Sequence, residues 1–202
     1  MAAERGIAIG AQVSYRDLAG FGRRFIDIAH DDLVADVLYQ LGALEAFARA
    51  AGTRVAYVKP HGALYNAVVH HEAQAAALVA AVLTYDGQLD ALGLPGSRWL
   101  ALAAQAGLRA VGEGFVDRGY TAAATLVPRD QPGAFVAAAD QPARAVQLAR
   151  EQHVIALTGE VVPTPVESLC VHGDSPNAVA SASAVRAALR AAGIAVNAFA
   201  AT

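Results

Sequence analysis

Lys59-Pro60-His61-Gly62, with Asn66 four residues beyond Gly62, puts an ammonium, an imidazole and an amide within a short length of chain. An ammonium can hold developing negative charge, and an imidazole can exchange a proton near neutral pH. Fourteen of the fifteen basic residues are Arg, and Lys59 is the only lysine. In so Arg-rich a chain, a solitary lysine is read either as a position that needs a compact, tunable ammonium or as a chance survivor on a loop.

Three further groups invite a chemical reading. Glu113-Gly114-Phe115-Val116-Asp117-Arg118-Gly119-Tyr120 gathers two carboxylates, a guanidinium and a phenol. Here Asp117 and Arg118 are either site residues or a loop-fixing ion pair, which at a surface contributes only ~0–1 kcal/mol. His172-Gly173-Asp174 sets an imidazole and a carboxylate two residues apart. Such a pair can orient a histidine or share a metal; the other reading is that Asp174 or Ser175 caps a helix and His172 packs. Arg23-Arg24 follows Gly20-Phe21-Gly22 and can hold a carboxylate or phosphate in its fork, or simply be solvated. His70 and His71 read as surface residues at a helix start.

These groups need elements to hold them. Val55 to Val58 reads as a buried strand, stopped by Pro60, which lacks an N–H. Strands are also expected at Ile7 to Ala11, Leu89 to Leu94, Leu108 to Gly112, Val154 to Leu157, Leu169 to Val171 and Ile194 to Asn197. From Asp31 to Ala51 the spacing of Leu33, Val37, Leu41, Leu44 and Ala48 marks an amphipathic helix, with Asp31 as cap and Gly52 as terminator. Helices are expected at Glu72 to Tyr85, from Ser97 to Gly107, at Gln141 to Glu151 with Asp140 near its cap, and from Ser175-Pro176 to Ala192. Thr121 to Ala139, with Pro128, Pro132 and Gly133, reads as a long excursion over the site. Ala2 to Gly6 looks like the last turn of a helix, as if an upstream part were absent.

The alternation of strand and helix predicts an α/β fold with a parallel sheet, either a barrel or a doubly wound sheet, in one domain over 1–202. Three polar clusters, Lys59/His61/Asn66, Glu113/Asp117/Arg118 and His172/Asp174, each follow a strand. In either architecture they are expected to converge on one face, and that points to an enzyme. A net charge of -3 with no basic cluster larger than Arg23-Arg24 argues against nucleic acid. No apolar run reaches the ~18 residues of a membrane span. One cysteine, Cys170, excludes an internal disulfide and suits the cytoplasm.

VKPHGALYN at Val58–Asn66, GFGRR at Gly20–Arg24, DRGY at Asp117–Tyr120 and CVHGD at Cys170–Asp174 resemble the LamB/YcsF family. The resemblance covers essentially the whole chain. It implies a seven-stranded parallel β/α barrel related to polysaccharide deacetylases. It also implies a hydrolase: the A-subunit of ATP-dependent 5-oxoprolinase, which opens 5-oxo-L-proline to L-glutamate with two further subunits, B and C. On that reading Lys59, His61, Asp117, Arg118, His172 and Asp174 are the catalytic set, with Asp174 orienting His172. Asn66, Glu113, Tyr120, Arg23 and Arg24 bind substrate, ATP is the co-substrate, and no metal is expected. Two departures stand out. The family's opening motifs, of the types DLNxDxGE and NxACGxHAGD, are absent, so one or two βα units of ~30 residues are expected to be missing upstream of Met1. Gln12-Val13 stands where many members have His-Pro. The alternatives are a non-catalytic binding or regulatory remnant, and a metal-dependent amide deacetylase with His61 and His172 as ligands.

Overall fold

The computed structural model describes residues 1–174 and 177–200. The expectation for Ser175-Pro176 at the start of the last helix therefore lies outside the described residues. The chain divides into two compact units, Met1–Val111 with Ala200, and Gly112–Phe199, and the boundary falls within a strand.

In the first unit, β1 (Ile9–Val13), β2 (Val55–Pro60) and β3 (Asp90–Gly93) run parallel, with β2 between the other two. α1 (His30–Ala50), the short α2 (Gly62–Ala67), α3 (Glu72–Asp86) and α4 (Arg98–Gln105) complete it. The parallel arrangement follows from the sequence: each strand is a short apolar run and each return is a helix. Leu33, Val37 and Leu41 of α1 are fully buried, as their 3.6-residue spacing requires, and pack in one core with Val58, Leu78 and Trp99. Gly52, at φ +75°, ends α1, and its N–H donates to Arg49 O at 2.9 Å. Ser97 caps α4 through a bond from Leu100 N–H at 3.3 Å. Asp31 does not cap α1. The helix starts at His30 after Ala29, and Asp31 faces the His30 ring at 3.0 Å instead.

In the second unit, β4 (Ala110–Phe115) and β7 (Ser168–Cys170) pair in parallel, Glu113 opposite Ser168 and Phe115 opposite Cys170. α5 (Gln141–Glu151) and α6 (Ala178–Ala191) are its helices. Between the strands expected at Val154 to Leu157 and Leu169 to Val171 lies a further strand. β5 (His153–Ile155) and β6 (Val161–Pro163) form an antiparallel hairpin, so the strands do not all share one parallel set. A short loop with Gly159 at φ +92° permits that reversal, which a helix-length crossover would not. Pro163 is tolerated because it ends its strand.

A further expectation is corrected. Ile194 to Asn197 forms no strand: no ladder partner faces it among the described residues, and Val196 is 47% exposed. The 121–139 excursion contains no helix or strand, as expected, and isolated bridges between Arg118 and Phe135 and between Tyr120 and Leu126 tie it back. No helix among the described residues is long and apolar enough to cross a membrane.

Candidate active site

The first unit builds its polar cluster where β2 runs into α2. Lys59 lies opposite Gln12 of β1, half-buried, with its Nζ 5.8 Å from the centre of the Tyr65 ring. The His61 N–H donates to Val13 O at 2.8 Å, which fixes the turn to the end of β1. Gly62 has φ +61°, and a Cβ there would meet Gly22 O at 2.3 Å. Only glycine satisfies both demands without displacing the loop above it. Ala63 N–H donates to that same Gly22 O at 2.8 Å. Asn66, expected to bind substrate, donates its amide to Gly62 O at 3.2 Å, a bond within its own helix.

The loop resting on this turn is held by residues that periodicity could not single out. Gln40 of α1 clamps the Ser14 backbone from both sides, accepting from its N–H and donating to its carbonyl, each at 2.9 Å. Gln74 of α3, 2% exposed, takes a hydrogen bond from the Tyr15 hydroxyl and gives one to Ile26 O at 3.0 Å. Burial pushes the Tyr15 phenol up to about 12, partly offset by that bond. Asp17 is buried and receives both Nε and Nη2 of Arg24, the Nε contact at 3.0 Å, and the Gly20 N–H at 2.9 Å. The Arg24 hydrogen bond holds the Asp17 carboxyl down at about 2. The fork of Arg24 thus serves the loop itself. Arg23 remains exposed, its guanidinium 5.6 Å from the centre of the Phe21 ring.

In the second unit the decisive contact joins the ends of β4 and β7. His172 donates its backbone N–H to Asp117 Oδ2 at 3.0 Å, and its Nδ1 lies 2.8 Å from the same oxygen and 3.1 Å from Oδ1. Asp117 is a carboxylate that orients His172, a part expected of Asp174. The geometric reason is that β7 brings residue 172 alongside the end of β4, whereas Asp174 is exposed. Burial alone would raise the Asp117 pKa, but the side-chain and backbone bonds from His172 outweigh it and hold the carboxyl below its usual value. Phe115 stacks on the His172 ring at 5.7 Å, 29° from parallel.

Arg118 and Tyr120, read as catalytic and substrate-binding, are turned to structural work. Arg118 is 5% exposed, and its Nε and Nη2 donate to Ala134 O at 2.9 Å and Val127 O at 2.5 Å. Burial lowers its pKa below the ordinary guanidinium value. Tyr120 is fully buried and its hydroxyl accepts the Phe115 N–H at 2.8 Å; burial raises its pKa. Together they fold the 121–139 excursion down beside Asp117. Glu113 is 2% exposed on β4. Among the described residues no three His, Cys, Asp or Glu side chains gather as a metal site.

Comparison with known proteins gives this arrangement a family. A model of the LamB/YcsF family matches residues 1–202. The chain belongs to the LamB/YcsF family. A curated relative from Streptomyces avermitilis, named as the A-subunit of 5-oxoprolinase, is 58% identical over 201 residues, covering 99% of this chain and 80% of that protein. A protein of the same name from Mycobacterium leprae is 52% identical over 203 residues, covering 98% and 79%. Among solved structures, the lactam utilization protein from Thermus thermophilus superposes with a TM-score of 0.91 at 41% identity, covering 98% of this chain and 79% of that one. The four motifs that carried the resemblance therefore lie in a LamB/YcsF chain. Asp117 and His172, drawn from two of them, meet in space.

Proposed function

We propose that this LamB/YcsF chain is the A-subunit of an ATP-dependent 5-oxoprolinase, acting in the cytoplasm with two further subunits, B and C. The observation that carries the reading is the 58% identity, over nearly the whole chain, to a protein named as that component of 5-oxoprolinase. A five-membered lactam is a stable amide, so its opening is coupled to ATP. The γ-phosphoryl group passes to the lactam oxygen and ADP leaves. Water then adds to the activated carbon, and the C–N bond breaks. A second water releases phosphate, leaving glutamate.

Each residue has its own part in this scheme. Lys59 stabilises negative charge on the lactam or phosphoryl oxygen. Asp117, accepting from Nδ1, fixes His172 in the tautomer whose Nε2 can take a proton from water and return it to the leaving nitrogen. His61 is the second imidazole able to do so. Arg23 is the exposed cation placed for a carboxylate or phosphate. Arg118 supports the site from outside the chemistry, donating from Nε and Nη2 to Ala134 and Val127.

The test is turnover by the chain combined with its two partner subunits. Glutamate and ADP should form only when both 5-oxoproline and ATP are present. Glutamate formation without ATP, abolished by a chelator, would instead favour the metal-dependent amide hydrolase.

A further inference from the structure

Phe21 is the wrong residue for its backbone and for its exposure. Its φ is +54°, in the left-handed region that bulky side chains avoid, and its side chain is 70% exposed. Neither backbone preference nor burial accounts for an aromatic ring there. The surrounding contacts show that the conformation is imposed. Asp17 O accepts the Gly22 N–H at 2.9 Å, Gly20 O accepts the Arg23 N–H at 3.0 Å, and Asp17 is itself locked by Arg24. Gly22 O is then fastened to the turn after β2 by Ala63 N–H at 2.8 Å. A strained residue survives only where its neighbours over-determine it, and strain of this kind concentrates at functional sites.

The ring that this strain presents has a definite target. The Phe21 and His61 ring centres are 5.7 Å apart with planes at 89°, an edge-to-face contact. Arg23 sits over the Phe21 ring at 5.6 Å. We propose that Phe21 is a positioning residue for His61: its ring walls one side of the imidazole and fixes the plane in which His61 meets substrate. The wall stands on geometry alone, while its effect on turnover rests on the proposed 5-oxoprolinase activity. An aromatic ring does this with few rotatable bonds, and the left-handed backbone aims it across the turn, where an ordinary conformation would point it elsewhere.

Two readouts test this in the full chain, using Phe21→Ala, Phe21→Gly and Phe21→Tyr. Phe21→Gly removes the ring but also relieves the backbone, so it keeps the fold even if Phe21→Ala does not. The first readout is carbethoxylation by diethyl pyrocarbonate, mapped by peptide mass spectrometry, with exposed His70 as internal reference. Loss of the flanking ring should raise His61 labelling about threefold or more in the Ala and Gly variants, with Phe21→Tyr at the wild-type rate. The second is steady-state turnover in the complex, where kcat should fall about tenfold with KM for 5-oxoproline and ATP within about twofold, and Phe21→Tyr should rescue it. Unchanged His61 labelling would overturn the wall whatever the turnover does. Raised labelling with unchanged kcat would overturn the positioning role. A wild-type complex with no lactam-opening activity would sink the functional reading instead, and labelling would still decide the wall.

Discussion

Asp117 accepts two hydrogen bonds from the single residue His172, one from the backbone N–H at 3.0 Å and one at Nδ1, 2.8 Å from Oδ2. One contact fixes where the main chain of 172 runs and the other fixes how its ring is turned. Together they make residues 55 positions apart behave as one unit. Asp117→Asn should therefore lower kcat at least about tenfold, because the amide no longer selects the Nδ1–H tautomer. Asp174→Asn should stay within about twofold, in keeping with its exposed position. Steady-state kinetics of both variants in the complex would settle the assignment; equal losses would return the orienting role to both carboxylates.

The same carboxylate makes a pH-dependent contribution to stability whose sign is fixed. Its folded pKa lies below the ordinary value because the His172 bonds outweigh burial. A depressed carboxyl pKa stabilises the fold above the unfolded pKa, ~3.9, and that contribution disappears as the pH falls through the folded value. The melting temperature of the wild type should thus drop more steeply than that of Asp117→Asn below about pH 4, and the two curves should converge. Parallel curves between neutral and strongly acidic pH would show that the dyad contributes nothing to stability.

Arg118 should behave as a structural residue. Replacing it with Met takes the Nη2 donor from the Val127 carbonyl and one of two donors from the Ala134 carbonyl, which keeps the Gly119 N–H at 3.0 Å. A bond to a charged group contributes ~1.5–3 kcal/mol, so the expected loss is about 3 kcal/mol or more, read by urea denaturation. Amide exchange should quicken in residues 127–135, while KM for ATP in the surviving folded protein should change little. A large rise in KM at unchanged stability would reinstate Arg118 as a ligand for substrate.

Gly62→Ala combines a left-handed backbone with a Cβ 2.3 Å from Gly22 O. The strain of a non-glycine residue at φ +61° alone is of order 1–2 kcal/mol, and the collision adds to it. The loop carrying Phe21 must lift off the His61 turn, so stability and turnover should fall together. A variant that melts like the wild type would mean the loop rests there only loosely.

Lys59→Arg should cost most of the activity although the charge is kept. Guanidinium is broader than ammonium, and Lys59 sits half-buried beside Tyr65 at a turn packed against β1. Turnover within about twofold of the wild type, with unchanged melting, would make the lone lysine incidental.

Much of the local structure was legible in the chain. The spacing of Leu33, Val37 and Leu41 requires a helix with one buried face, Gly52 requires its end, and Ser97 supplies a cap, because each acts through neighbours a few residues away. Four motifs of fixed composition were enough to place the chain in its family. The strand at β5 was legible but its antiparallel partner β6 was not, since three residues next to two prolines leave too little periodicity to separate from a loop. Ile194 to Asn197 failed in the opposite direction: strand-forming residues make no strand without a ladder partner, and partners are a tertiary matter.

The site divides the same way. Sequence alone determined which side chains are chemically equipped, among them Lys59, His61, Asp117 and His172, because reactivity belongs to residue type. Tertiary structure alone decided what each one faces. Asp117, 55 positions from His172, reaches its ring because parallel pairing of β4 and β7 sets strand ends side by side. Arg24 and Arg118, free to act in the sequence, are spent on Asp17 and on two carbonyls. Phe21, an ordinary aromatic in the sequence, becomes the wall of His61 only because Asp17 and Gly22 bend its backbone into the left-handed region.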